Sequence, residues 1–259
     1  MAARKPRKNQ QPPTRRRAAA PATKPVGAGA CVRELLQRLT AAIPDPRCEL
    51  DHDSPWTLLI ATILSAQSTD RTVNTVTPEL FRRWPTPAAL AAAPREEVEQ
   101  VVHRTGFFRN KAKAIQACSM ELVARHAGEV PRDMAALCEL PGVARKTANV
   151  VLGVACGIAA GIVVDTHVAR VSRLLGLTAS DKPEQIERDL CALLPQDRWI
   201  DGGHRLLLHG RYLCLAKAPD CEQCPLNELC PERGAEPAGT WRQRAAGEAA
   251  RFGGGAAAR

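Results

Sequence analysis

Apolar residues recur along this chain at intervals of three and four, and that period predicts helices from one end of the ordered sequence to the other. Val32, Leu35, Leu36 and Leu39 mark one face of a first helix, closed by Pro44. Ser54-Pro55 opens the next, with serine as N-cap and proline at the first helical position. Its apolar stripe is Trp56, Leu59, Ile60, Ile63 and Leu64. Gln67 continues the stripe, three turns beyond Trp56, where the core face ends. Further helical blocks are predicted at about 72–83, 86–93, 95–104 and 109–127, punctuated by Pro85, Pro87, Pro94 and Gly106. A short helix near 132–138 precedes the stretch from Leu140 to Asp165, and helices near 166–176, 183–194 and 202–213 follow it. Convincing two-residue alternation is absent, and Ile162-Val163-Val164 is too short to make a sheet. The pattern predicts an all-α fold with connections of a few residues each.

Two ends lack the period. Residues 1–26 are rich in Arg, Pro and Ala, and about 237–259 in Ala, Gly and Arg, so both are expected to be disordered tails. The net charge of +9 suggests a nucleic-acid partner, but residues 1–25 hold eight Lys/Arg and no acid. Subtracting them from the totals leaves 28 basic against 27 acidic residues, so a DNA-binding surface on the folded part must be a local patch or be made of backbone amides. The N-terminal tail itself can act as an electrostatic tether, a solubilising segment or a transit peptide; its prolines argue against an amphipathic targeting helix. No apolar run approaches the roughly 20 residues that cross a bilayer, so a soluble protein without a membrane partner is expected.

Candidate chemistry centres on LPGVARKTANVVLGVACGIAAGIVVD, residues 140–165. Pro141 and Gly142 suit a tight turn that needs a fixed φ followed by a permissive residue. The amides that open the following helix have no intrahelical acceptor, and the helix dipole favours an anion, so the turn can hold a phosphate through Gly142, Val143 and Ala144 without side-chain charge. Thr147, Val150, Val151 and Val154 are predicted to form the buried stripe of that helix, with Lys146 about 90° to one side, at the boundary of core and surface. Asp165 precedes Thr166-His167-Val168 as an N-cap whose second oxygen is left to face a cavity.

Ten cysteines without a signal-peptide core argue for a reducing compartment. Cys214, Cys221, Cys224 and Cys230 fall within 17 residues and read as a metal site, with either tetrahedral zinc or a [4Fe–4S] cluster compatible with four thiolates. The other six are expected to be small buried hydrophobes.

Taken together, LLIATILSAQSTD at 58–70, GFFRNKA at 106–112, LPGVARKTANVVL at 140–152, VDTHVARV at 164–171, HGRYLC at 209–214 and the cysteine spacing resemble the endonuclease III family of DNA glycosylases, of the helix-hairpin-helix superfamily. The resemblance spans about 30–235. It implies a bilobal fold: a six-helix bundle at 48–158, and a second lobe of 27–47 with 159–236 that carries a [4Fe–4S] cluster on the four cysteines. It implies Lys146 as nucleophile and Asp165 as its catalytic partner in a bifunctional glycosylase/AP lyase. The implied partner is duplex DNA bearing oxidised pyrimidines or abasic sites, and the implied setting is a monomer in the bacterial cytoplasm, at the nucleoid. Gln67 matches the residue that fills the space of the flipped nucleotide, Phe107 a wedge beside the orphan base, and Lys217 part of a basic cluster loop. Departures are Ala144 at a usual glycine, one extra residue between Lys146 and Asp165, absorbed around Gly157–Gly161, and Asp220 where that loop is usually basic. An adenine glycosylase of the same superfamily would lack Lys146 and add a C-terminal recognition domain, and a non-catalytic iron–sulfur protein would have no use for Lys146 and Asp165 together.

Overall fold

The computed structural model describes residues 30–217 and 219–232. Both predicted tails, 1–26 and 237–259, therefore lie outside the described residues, as do 27–29 and 233–236 beside them. The described residues form eleven α-helices: α1 Ala30–Ala42, α2 Pro55–Leu64, α3 Asp70–Arg83, α4 Pro87–Ala92, α5 Arg95–Val102, α6 Phe108–His126, α7 Met134–Glu139, α8 Arg145–Val150, α9 Thr166–Leu174, α10 Pro183–Leu193 and α11 Trp199–Leu208. Five-residue π-helical turns extend α8 over Val151–Ala155 and α11 over His209–Leu213. No strand occurs among the described residues.

The helix around which the first core assembles is α2. Ser54 Oγ accepts from the Thr57 amide at 3.2 Å while Thr57 Oγ1 accepts from the Ser54 amide at 3.0 Å, and Pro55 presets the first turn. The predicted stripe understates this helix, because every residue from Trp56 to Leu64 is buried. A helix that is apolar on all sides belongs at the centre of a bundle, and α2 packs against α3, α6 and α8. Gln67 corrects the sequence reading: α2 ends at Leu64, and Gln67 stands beyond it, exposed, with φ +54°.

Buried side chains fall into two clusters. One runs from Leu50 through α2–α8 to Leu152. The other joins Val32, Leu35, Leu36 and Leu39 of α1 to Ile162, Val164 and the inner faces of α9–α11, with Leu226 of the cysteine loop. Sequence-distant α1 thus docks on α11, and buried Arg205 fastens the joint by donating to the Ile43 carbonyl at 2.8 Å and the Pro44 carbonyl at 3.1 Å. The chain crosses between the clusters at residues 43–50 and again after α8, so anything on the loops there faces the seam.

The cysteines depart from expectation. Of the six outside the C-terminal group, Cys118 is buried, Cys138 is exposed, and Cys31, Cys48, Cys156 and Cys191 are half-buried. Small size lets them sit at packing edges as well as in the core.

Candidate active site

The stretch from Leu140 to Val150 supplies both the turn and the amine. Leu140 accepts from the Val143 amide at 3.1 Å to close the turn between α7 and α8. Gly142 has φ +79°, and a Cβ there would lie 3.1 Å from the Ala114 Cβ, so both backbone and space require glycine. Val143 is buried and anchors the turn, while Gly142 and Ala144 are exposed, which leaves the open first turn of α8 facing solvent. Ala144 adopts φ −93°, ψ 167°, an extended geometry that needs no glycine. The expected departure at this position therefore costs the backbone nothing.

The buried stripe of α8 differs from the predicted one. Ala148, Asn149, Val151 and Leu152 are buried, whereas Val150 and Val154 are half-buried, packing on the first core while also lining a cavity with Lys146. The π-helical turn from Val151 shifts the angular position of every later residue, which a uniform 3.6 period does not register.

That cavity, about 110 Å³, lies in the seam between the two cores, and Lys146 and Asp165 both line it. Asp165 caps α9 as expected: Oδ1 accepts from the His167 amide at 2.9 Å and the Val168 amide at 2.8 Å. With Oδ1 so engaged the carboxylate is fixed in orientation, and Oδ2 carries none of the capping bonds.

Behind Lys146 lies a network that sequence reasoning missed. Glu187 of α10, buried, accepts a fork from Arg145 at 2.8 and 2.9 Å and a third bond from Asn149 Nδ2 at 2.9 Å. Residues on both sides of the lysine are thereby pinned to α10. A Cβ on Gly161 would lie 2.1 Å from Glu187 Oε1, so the returning segment passes this network only as glycine. Asn149 Oδ1 is buried without a hydrogen-bond partner, in a residue that also lines the cavity, and is an acceptor available to a ligand.

A second ionic group closes the cavity's other wall. Arg211 Nη1 binds Asp70 Oδ2 at 2.6 Å and also Glu49 Oε2, and the Tyr212 hydroxyl binds Glu49 Oε1. Asn74 sets Glu49 in place, donating to its carbonyl at 2.8 Å. Burial works against the Arg211 charge, but the two carboxylates outweigh it and raise its pKa. Burial and then Glu49 raise that of Tyr212, which remains a hydroxyl donor. The pKa of His204, also in the wall, is lowered by burial and by Arg211, and that of Cys48 is pushed up to about 11 by burial. Asp70 and Arg211 stand inside LLIATILSAQSTD and HGRYLC, but no one-dimensional signal pairs residues 141 apart.

The remaining predicted residues lie away from this cavity. Phe107 is 67% exposed with φ +47°, which removes the alternative that it is a core residue. Lys217 is exposed on the cysteine loop. Cys214, Cys221, Cys224 and Cys230 line a separate small cavity of about 30 Å³ against α9, sharing no residue with the first. Among the described residues no three His, Cys, Asp or Glu side chains converge as a ready metal-binding set. The donor chemistry nevertheless fits a thiophilic cluster: all four are free thiols around one space, and Arg170 Nη1 lies 3.6 Å from Cys214 Sγ, a positive charge suited to a thiolate. Burial raises the thiols of Cys214, Cys224 and Cys230, that of Cys224 to about 11, so deprotonation there calls for a cation.

Comparison with known proteins places this geometry. A family model described as HhH-GPD superfamily base excision DNA repair protein matches residues 60–196. Endonuclease III of Synechocystis sp. is 52% identical over 198 residues, covering 76% of this chain and 90% of that protein. Endonuclease III of Bacillus subtilis is 46% identical with the same coverage. The solved structure of a trapped endonuclease III–DNA covalent intermediate, an estranged-adenine complex, is similar at a TM-score of 0.74 and 46% identity, covering 78% of this chain and 94% of that one. A thermostable thymine-DNA glycosylase shares the fold at a TM-score of 0.68 and 21% identity.

Proposed function

Because the chain belongs to the endonuclease III family of the HhH-GPD superfamily, we propose that Lys146 and Asp165, set together in the cavity between its two cores, carry its reaction. The protein is a bifunctional DNA glycosylase and AP lyase of base excision repair. The observation that carries the assignment is that two residues nineteen apart, one in the first turn of α8 and one capping α9, line one cavity.

The substrate is a damaged nucleotide in duplex DNA, which leaves the stack to reach the cavity. The amine of Lys146 attacks C1′, and the base departs with the glycosidic electron pair and takes up a proton. Asp165 stabilises the positive charge that develops on the sugar and accepts the proton that the lysine nitrogen sheds. Ring opening gives an imine between Lys146 and C1′. The imine acidifies C2′; loss of a C2′ proton expels the 3′ phosphate, and water then releases the lysine. An amine is needed because a hydroxyl or thiol cannot form that imine.

The hairpin amides at Gly142, Val143 and Ala144 anchor a phosphate, and this sets the register that brings C1′ to Lys146. Gln67 fills the vacated space, and Phe107 wedges beside the orphan base; their exposure at turn tips supports both roles. Lys217 approaches the backbone from the cysteine loop. The two hydrophobic cores support assignment of residues 48–158, which hold the seven helices α2–α8 where six were expected, to one lobe and of 27–47 with 159–236 to a cluster lobe. Cys214, Cys221, Cys224 and Cys230 would hold a [4Fe–4S] cluster there. When bound it supplies a covalent tie for a loop that adds Leu226 and Leu229 to the second core. The protein acts as a monomer on oxidised pyrimidines and abasic sites, in the bacterial cytoplasm at the nucleoid. No described helix is long and apolar enough to cross a membrane.

A duplex carrying one thymine glycol tests the reading. We expect cleavage 3′ to the lesion with an unsaturated aldehyde on the upstream fragment, and no action on adenine opposite 8-oxoguanine. Base release without strand cleavage, or the reverse preference, would overturn it. The basic segment 1–26, outside the described residues, adds positive charge that can neutralise DNA phosphates. Its deletion is expected to weaken binding and to lower the slope of log K against log salt by about 0.9 for every phosphate the shortened protein leaves unneutralised. An unchanged slope rules out that contribution.

A further inference from the structure

Three non-glycine residues adopt left-handed backbone among the described residues: Gln67 (φ +54°), Phe107 (φ +47°) and Ala127. Such a conformation costs about 1–2 kcal/mol for a residue with a Cβ and persists only where the surroundings impose it. Gln67 and Phe107 are the two residues assigned above to the space opened in the duplex, and they sit on different turns, one after α2 and one before α6. Neither turn is anchored at its tip, since both side chains are exposed.

The anchor lies one layer below. Lys111, in the first turn of α6, is 5% exposed, and its Nζ donates to the Thr105 carbonyl at 2.7 Å and to Ser68 Oγ at 3.3 Å. Ser68 Oγ donates in turn to the same Thr105 carbonyl. Ser68 follows Gln67 directly, and Thr105 precedes Phe107 by two. The Lys111 amide also donates to the Phe107 carbonyl at 3.1 Å. Phe108 meanwhile packs against His103 in a tilted arrangement with ring centroids 4.5 Å apart, so the base of the Phe107 turn is packed while its tip projects.

We propose that Lys111 is a positioning residue for opening the duplex: its buried ammonium locks the Gln67 turn and the Phe107 turn into one rigid pair of probes. This rests on the reading of Gln67 and Phe107 given above and deepens it. Stability alone does not call for a lysine at this site. Its side-chain acceptors are neutral, a buried charge without a counter-charge is costly, and burial lowers its pKa. A methionine would fill the space at less cost. The ammonium does what methionine cannot, donating to both turns at once, so the two tips keep a fixed separation when one displaces a base and the other enters beside its former partner. Preordering of this kind removes the entropy of arranging two loops from the barrier to base displacement.

The test separates opening from chemistry. An abasic site in single-stranded DNA has no partner strand to invade, so borohydride trapping on it reports Lys146 alone, whereas single-turnover excision of thymine glycol from a duplex reports both. For the full-length protein, Lys111→Met is expected to lower the duplex rate about 10–100-fold, with single-strand trapping unchanged. Ser68→Ala, which removes one hydrogen-bond partner with little change in volume, is expected to act in the same direction and less. In a Gln67→Ala/Phe107→Ala background, Lys111→Met should add nothing, because the probes it orders are gone. A parallel loss of single-strand trapping, an undiminished duplex rate, or an additive effect in that background each overturns the proposal. Full duplex activity of the Gln67→Ala/Phe107→Ala protein overturns the underlying reading of those tips and the proposal with it. A crippled double variant beside a fully active Lys111→Met protein overturns the proposal alone.

Discussion

Lys146→Gln is expected to bind abasic duplex DNA normally and to cleave none of it. The lysine is exposed in the first turn of α8, so its side chain contributes little packing, and glutamine is as good a helix former. Stability should therefore move by no more than about 0.5 kcal/mol. The phosphate anchoring proposed above depends on the backbone of Gly142–Ala144 and the closed turn at Leu140–Val143, which the substitution does not touch. What disappears is the amine in the cavity wall: no amide nitrogen can form the imine, so β-elimination stops altogether. Gel analysis of cleavage and a filter-binding titration on one preparation check both halves. A binding defect equal to the cleavage defect would instead make Lys146 a phosphate contact.

The N-cap role of Asp165 and the catalytic role proposed for it can be separated by substitution. As N-cap it accepts two amides through one oxygen, and asparagine accepts them equally well. Asp165→Asn is thus expected to lose only the charge–dipole part of the cap, about 0.3–1 kcal/mol, while turnover falls about 10²–10⁴-fold as the carboxylate is lost from the cavity. Asp165→Ala loses the cap as well, a further cost of about 0.5–2 kcal/mol, with a similar loss in turnover. Thermal unfolding and single-turnover rates on abasic duplex would show two separate orderings: stability falling from Asp to Asn to Ala, activity falling once. Asparagine turning over like aspartate would leave the cap as its whole role.

Local chemistry made much of the fold legible. Ser54-Pro55 marked the start of α2 to the residue, and the helix period located all eleven described helices because each buries an apolar face or stripe. Failures arose where geometry departs from a regular period or where contacts are remote. Gln67 left its predicted stripe because the helix stops at Leu64 and the chain turns left-handed, and Val154 of the predicted buried stripe also reaches the cavity because a π-helical turn rotates it. The candidate site behaved likewise. Lys146, Asp165 and the hairpin stand in one contiguous stretch and could be named from it. Glu187 beneath Arg145, Arg211 between Glu49 and Asp70, and Lys111 between two turns are assembled by tertiary packing, and their partners lie too far along the chain to be read from spacing. A half-buried pair such as Arg211–Asp70 is costly to break once one partner is removed, so these contacts hold the seam closed around the cavity.

The seam cavity is the proposed seat of the reaction, with Lys146 as the proposed nucleophile. Reducing the unaltered protein with borohydride during reaction on a thymine glycol duplex freezes whatever imine it forms, and peptide mass spectrometry then locates the nucleotide remnant. The remnant is expected on the peptide containing Lys146. A remnant on Lys111, Lys113, Lys217 or the N-terminal amine would contradict the assignment and move the reaction out of the cavity.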